Sequence, residues 1–345
     1  EGLLLLDMKD LQALLANTNK GTDKDAAAAV ALSQRQQEWL HTRDWSVLSA
    51  RLLRLMHALG RERHWRDAIA PARHAEQAGW LAQRRKQLLV DVSELYYRDA
   101  RTGIQRVVRN ILGELLRAPP AGYDICPVYG SKTEGFRTTG KFHLHGGAPA
   151  PCANDEQPVT VGPGDIFLGL DLAAHLFPEA EQHLQAFRLA GAKVYYVVYD
   201  IIPLRHAQYT VPGMAAAFDV WLRALGRCAD GLLCISDAVA QDVAAWLREQ
   251  APGAPLPCIT HFHLGADMEP APQSAPTSQA LPPDATDVLA RIQARTSFLM
   301  VGTIEPRKGH AQTLAAFELL WAQGVQANLV IVGKTGWNTE ALTRQ

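Results

Sequence analysis

Four absences narrow the possibilities before any motif is considered. No uncharged apolar run in the 345 residues reaches the length of about 20 that a membrane-spanning helix needs. The charges balance to a net of −1 with a pI near 7.0, so the basic footprint that nucleic-acid binding requires is missing. The five cysteines, Cys126, Cys152, Cys228, Cys234 and Cys258, form no CxxC pair and no disulfide framework, and no signal peptide stands at the front. The expectation is a soluble or peripherally bound protein in a reducing, cytoplasmic compartment. The chain also lacks an initiator methionine, and it stops soon after a strand-like run, Asn328 to Val332, that should feed further βα units. It reads as a piece of a longer polypeptide whose last lobe is incomplete.

What is present is globular material, with 48% apolar and 20% charged residues, too long for one ordinary core. Two large lobes and an appendage are expected. The stretch around which they are organised is Ser297 to His310, SFLMVGTIEPRKGH. The apolar run Phe298 to Val301 is cut by Gly302, and a helical pattern begins near Gly309, which predicts a buried strand, a turn and a helix start. Arg307 and Lys308 stand side by side in that turn. Alone, such a pair reads as a solvated surface at a helix start. Two cations in a first turn oppose the helix dipole, however, and an anion would make the arrangement favourable. Backbone N–H groups together with two charges suit a phosphate or pyrophosphate, with Glu305 as a partial counter-charge.

The rest of the chain divides into segments of different character. Residues 1–86 are rich in Ala, Leu, Gln and Arg, with Leu48, Leu52, Leu55, Met56 and Leu59 at helical spacing, and predict an extension of two or three amphipathic helices. Asp23-Lys24-Asp25 fits the metal-binding DxD pattern of some sugar transferases, but no apolar strand precedes it. From Leu88 the pattern alternates short apolar runs with helices, as in a parallel α/β sheet. Leu88 to Val92 is a strand, Gly103 opens a helix to about Arg117, Tyr123 to Tyr129 is a strand, and a Gly/Pro/His-rich loop runs to about Pro163. Strands at Ile166 to Leu170, Lys193 to Tyr199 and Gly231 to Ile235 alternate with helices at Glu179 to Leu189, Met214 to Arg227 and from Ser236 to about Arg248.

Two positions in this lobe face the carboxyl ends of strands, where doubly wound sheets bind ligands. Gly103 would let a ligand approach the backbone. Asp200, just past the strand ending at Tyr199, is the candidate substrate-contacting acid; the competing reading is a cap for the next turn. His206 reads as polar surface. A Pro- and Ala-rich crossing between Pro252 and Pro283 then separates this lobe from the next.

Taken together, these pieces resemble glycosyltransferase family 4, retaining enzymes of the two-lobed GT-B type, and within it the mannosyltransferases that build bacterial O-antigen and capsule chains. The resemblance is carried by Val90-Asp91-Val92-Ser93 with Thr102-Gly103-Ile104-Gln105-Arg106, by Val198 to Pro203, by Ala229-Asp230-Gly231 through Ser236, by His263 to Asp267, by Val301 to Gly309, and by Leu329 to Trp337, in family order over residues 88–345. It implies an α/β fold of two Rossmann-like, doubly wound parallel-sheet lobes. The expected divisions are a helical extension or linker at 1–86, an acceptor-side lobe at 87–266, an interlobe linker at 267–296, and the start of a nucleotide-sugar lobe at 297–345.

By the same resemblance, Asp200, Lys308 and Arg307 serve the reaction, and Gly103, Gly302, Thr303, Arg307 and Lys308 bind the donor. Many members carry Gly-Arg where this sequence has Gly302-Thr303, so part of the phosphate-binding charge is absent or has moved to Arg307. The family's paired glutamates fall outside the sequence. No metal or cofactor is implied. The implied donor is a nucleotide-diphosphate sugar such as GDP-mannose, and the acceptor a glycan or lipid-linked glycan, with peripheral association at the inner face of the plasma membrane and further domains of the same polypeptide as partners. The competing reading is a non-catalytic sugar-nucleotide-binding or scaffolding module of a larger protein.

Overall fold

A computed structural model of the protein describes residues 3–6, most of 47–56, and residues 85–142, 156–265, 284–337 and 339. They fall into two compact units. The larger is drawn from Gln34–Arg205 and Gly213–Met268, the smaller from Glu1–Ser33, His206–Pro212 and Glu269–Gln345. The first strand, β1 (Leu3–Leu6), belongs to the smaller unit and is taken with it below.

The larger unit is built on a seven-stranded sheet of β2 (Lys86–Asp91), β3 (Tyr123–Ser131), β4 (Gly135–Thr138), β5 (Ile166–Gly169), β6 (Lys193–Val198), β7 (Gly231–Cys234) and β8 (Cys258–His261), in the order β4-β3-β2-β5-β6-β7-β8. All pairings are parallel except β3 with β4. The strands read as continuous apolar runs because both faces are covered. Leu88 and Val90 pack on one face, with Val107, Val108, Ile111, Leu112 and Leu115 of a helix, while Leu89 and Val128 pack on the other.

Helices α1 (Ser93–Tyr97) and α2 (Gly103–Arg117) follow β2. Helix α2 starts with a capping box, in which the Thr102 hydroxyl accepts from the Gln105 N–H and the Gln105 side chain accepts from the Thr102 N–H. Helices α3 (Glu179–Leu189), α4 (Ile202–Arg205), α5 (Met214–Cys228) and α6 (Asp237–Gln250) complete the unit, and Ser236 caps α6 as its position in the sequence predicts. The chain leaves β2 toward β3 on one side and returns to β5 on the other, so the strand order reverses between β2 and β5.

Helical residues within 47–56 belong to this core. Leu48, Leu52 and Met56, spaced i, i+4, i+8, are fully buried, and the Met56 carbonyl accepts from the Tyr195 hydroxyl at 2.9 Å. The leucine periodicity of the prefix therefore marks a packed helix. Its Asp23-Lys24-Asp25 lies outside the described residues.

The smaller unit has a three-stranded parallel sheet, β1-β10-β9, made with β9 (Thr296–Val301) and β10 (Ala327–Val332), together with α7 (Ala285–Gln293) and α8 (His310–Ala322).

Several expectations are corrected. Leu3–Leu6 is a strand, not part of a helical extension, because four consecutive leucines fit either periodicity and pairing with β10 decides between them. Phe298, Leu299 and Val301 are 52–56% exposed, not buried, because β9 is the outer strand of the described sheet and pairs only with β10. The β4 hairpin lies within the stretch expected to be a loop, and makes the sheet mixed at one edge. The patch around Ile259, expected in the crossing, forms the edge strand β8, and α7 lies in the segment expected to be linker. Cys228, Cys234 and Cys258 are in no disulfide, whereas Cys126 is disulfide-bonded; a single bridge leaves no spacing signature in the sequence. Among the described residues no helix is long and apolar enough to cross a membrane.

Candidate functional site

In the larger unit, the carboxyl ends of β2 and β5 meet where the strand order reverses, the usual ligand position in such a sheet. Asp91 ends β2 and Asp171 lies two residues past β5, and both are buried. The Asp91 carboxylate accepts from the N–H and the hydroxyl of Ser93, and the Ser93 hydroxyl oxygen in turn accepts from the Gly130 N–H at 2.9 Å. Asp171 accepts from the N–H groups of Leu95 at 2.8 Å and Leu172 at 2.9 Å. These contacts fix α1 over the sheet edge. Burial pushes the Asp91 carboxyl up to about 7, against the bonds from Ser93, and the neighbouring Asp171 adds to the rise. Burial likewise pushes Asp171 up to about 6.

Gly103 is the exposed first residue of α2, and a Cβ built there meets nothing within 4 Å. The open space lies at a helix N-terminus. Asp200 lies two residues past the end of β6, with its carboxylate accepting from the Ile202 N–H at 3.1 Å. It caps the turn into α4. The side chain is only partly buried. An open cavity of about 450 Å³ elsewhere, between α6 and the start of β8, is lined by Arg248, Gln241 and apolar side chains and by none of the residues singled out in the sequence.

In the smaller unit, Gly302, Thr303, Arg307 and Lys308 lie on one continuous segment between β9 and α8. The Gly302 N–H donates to the Val332 carbonyl, the Ile304 N–H to that of Lys334, and the Gly336 N–H to that of Ile304. The loops after β9 and β10 therefore run side by side in backbone contact. Gly302 has a φ of 151°, and a Cβ on Gly333 would fall 1.8 Å from the Gly302 carbonyl oxygen. Only glycine fits at 333.

Pro306–Lys308 form a single 3-10 turn, Gly309 adopts φ 75°, and α8 begins at His310 with no acidic residue in its first turn. Arg307 and Lys308 are exposed but not equivalent. The Arg307 guanidinium Nη2 lies 2.7 Å from Oε1 of Glu305, whose side chain is 1% exposed. The geometry is an ion pair and not a directed hydrogen bond, for that oxygen has no hydrogen-bond partner among the described residues. The Lys308 side chain has no partner among the described residues. The His310 ring is buried, with Nδ1 unpartnered among them.

Sequence reasoning thus located the loop and its two cations. It assigned no role to the Asp91, Ser93 and Asp171 cluster, although an Asp at the end of each of two neighbouring strands was visible, and none to His310 or Gly333. Their importance depends on burial and close approach between segments far apart in sequence.

Comparison with known proteins points in one direction. A scan against protein-family models finds no match, and no solved structure matches. Three Escherichia coli proteins, each a serotype-specific mannosyltransferase WbdA, do match. One is 46% identical over 263 residues, which is 75% of this chain and 32% of the relative. The others are 45% identical over 260 residues, 74% of this chain and 31% and 30% of the relatives. The chain is similar to part of a mannosyltransferase. It spans about a third of the length of these relatives.

Proposed function

We propose that the chain is part of a retaining glycosyltransferase of family 4, with the two-lobed GT-B arrangement, that moves mannose from a nucleotide-diphosphate sugar such as GDP-mannose to a growing glycan in cell-surface polysaccharide synthesis. The observation that carries the reading is the 46% identity with a mannosyltransferase over three quarters of the chain. The loop supports it, because an exposed cation with no partner among the described residues, just before a helix N-terminus, suits a phosphate.

Breaking the anomeric C–O bond of such a donor leaves negative charge on the β-phosphate. Lys308 and the N–H groups at the start of α8 would stabilise that charge as it develops. Arg307, paired with Glu305, would chiefly hold the loop and contribute a weaker, longer-range charge. Gly302 and Thr303 would place backbone next to the phosphates. Gly103 would let the donor approach the backbone at the start of α2, and Asp200, oriented by its bond to Ile202, would contact the reacting sugar. In a retaining transfer the acceptor hydroxyl attacks on the face the nucleotide leaves, and its proton passes to the departing phosphate oxygen, so no side-chain nucleophile is needed. The acceptor would be a glycan or lipid-linked glycan at the cytoplasmic membrane face.

The test offers the protein GDP-mannose, GDP-glucose, UDP-glucose and UDP-galactose with a mannose oligosaccharide, and determines the anomeric configuration of the product by NMR. Transfer from GDP-mannose alone, with retained α-configuration, supports the proposal. Inverted product or preference for a uridine donor refutes it.

A further inference from the structure

An aromatic cluster stands at the carboxyl edge of the larger unit's sheet, outside the groups assigned above. Tyr96 and Tyr129 stack with ring centroids 3.7 Å apart and planes within 5°. Tyr97 lies perpendicular to both, 5.1 Å from Tyr96 and 5.9 Å from Tyr129. Two similar distances to two parallel rings put Tyr97 beside the stack. The residue is 55% exposed, so much of it is open to a ligand.

The ring is also held. Its hydroxyl donates to the Gly130 carbonyl at 3.2 Å. The supporting Tyr96 is itself fixed, with Lys141 Nζ 3.5 Å from its ring centroid and its hydroxyl donating to Glu156 at 2.8 Å. Beside Tyr97 is a polar pair. Glu94 lies three residues before Tyr97 on α1, so the two side chains neighbour each other on one helix face. The Glu94 carboxylate lies 2.8 Å from Nδ1 of His175, and both are partly exposed.

We propose that this surface is a subsite for a neutral oligosaccharide acceptor, with one pyranose packed on the exposed Tyr97 ring and its hydroxyls bonded to Glu94 and His175. The inference rests on the transferase reading above and names the acceptor subsite. The axial C–H bonds on one face of a pyranose carry slight positive charge and meet the negative face of the aromatic ring, while the hydroxyls at the rim need acceptors and donors. Glu94 supplies the first and His175 either. A ring fixed before binding loses no side-chain freedom when the sugar arrives. The location agrees, since α1 follows directly from Asp91 at the point where the strand order reverses.

The experiment measures binding of a mannose trisaccharide by calorimetry without donor, and acceptor KM, donor KM and kcat for transfer, in wild type, Tyr97→Ala and Tyr97→Phe. Tyr97→Ala should weaken trisaccharide binding and raise acceptor KM about tenfold, with donor KM and saturated kcat within about twofold. Tyr97→Phe keeps the ring and should stay within about threefold of wild type. Unchanged acceptor KM in a folded, active Tyr97→Ala overturns the subsite and leaves the transferase reading intact. Binding that depends on Tyr97 in a wild-type protein without transfer upholds the subsite and overturns the transferase reading. A wild type that neither binds nor transfers overturns both.

Discussion

Arg307 and Lys308 are adjacent cations, yet their removal should have opposite consequences. The Glu305 carboxylate is 1% exposed and 2.7 Å from the Arg307 guanidinium, which is 33% exposed. Exposed ion pairs contribute about 0–1 kcal/mol, whereas removing one partner of a buried pair costs about 3–5 kcal/mol because a charge is left uncompensated. With one partner buried and the other a third exposed, Arg307→Ala should lower stability by about 2–3 kcal/mol. Lys308→Ala leaves no buried charge and should stay within about 0.5 kcal/mol of wild type. Turnover should run the other way, with Lys308→Ala losing about 10²- to 10³-fold, the scale of deleting one preorganised transition-state contact, and Arg307→Ala losing less. Urea denaturation followed by circular dichroism reads the first effect, and steady-state transfer at saturating donor the second. Adding Glu305→Gln to Arg307→Ala should restore most of the lost stability, because the stranded carboxylate becomes a neutral amide. Equal stabilities of the two alanine variants, or no recovery in the double variant, would refute the reasoning.

Gly333→Ala places a Cβ 1.8 Å from the Gly302 carbonyl oxygen, so the paired loops must separate, and hydrogen exchange should show lost amide protection at the ends of β9 and β10 with β2 and β5 unchanged; full protection in both units would contradict the close approach. Leu52→Ala should destabilise the larger unit by about 2–4 kcal/mol in thermal or urea unfolding, since Leu52 is 0% exposed, and a change under 1 kcal/mol would place its helix outside the core. Asp91 gives a pH signature. Its folded value of about 7 lies above the ordinary 3.8, so between those values the folded chain keeps a proton that the unfolded chain has lost. Its contribution to stability is therefore greatest at acid pH and declines as pH rises from about 4 to about 7. Asp91→Asn should lack that slope, so the stability difference between variant and wild type should itself change between about pH 4 and pH 7; a difference that stays constant across this range would show that Asp91 titrates normally.

The strands, helices and their order were legible because parallel strands covered on both faces are continuous apolar runs, and because Thr102 with Gln105 and Ser236 announce helix starts. The loop from Gly302 to Lys308 was legible for a different reason, since cations at a helix start oppose the dipole and invite an explanation. What could not be read was the partnership within it. That Arg307 turns to Glu305 while Lys308 has no partner among the described residues depends on how deeply Glu305 is buried, which no local spacing states. The strand at Leu3–Leu6 escaped for a similar reason, because its partner β10 lies more than 300 residues away. The sequence around Asp200 fits either a substrate contact or a turn cap, and its bond to Ile202 gives it the cap without removing it from the strand's carboxyl end.

Mannose transfer itself is read by incubating the protein with GDP-mannose and a mannose trisaccharide and following tetrasaccharide and GDP together. Both should accumulate in equal amounts, and folded Lys308→Ala should make them about 10²- to 10³-fold more slowly. Folded wild-type protein that yields no tetrasaccharide, or a Lys308→Ala variant that matches wild-type turnover, would contradict mannose transfer assisted by Lys308.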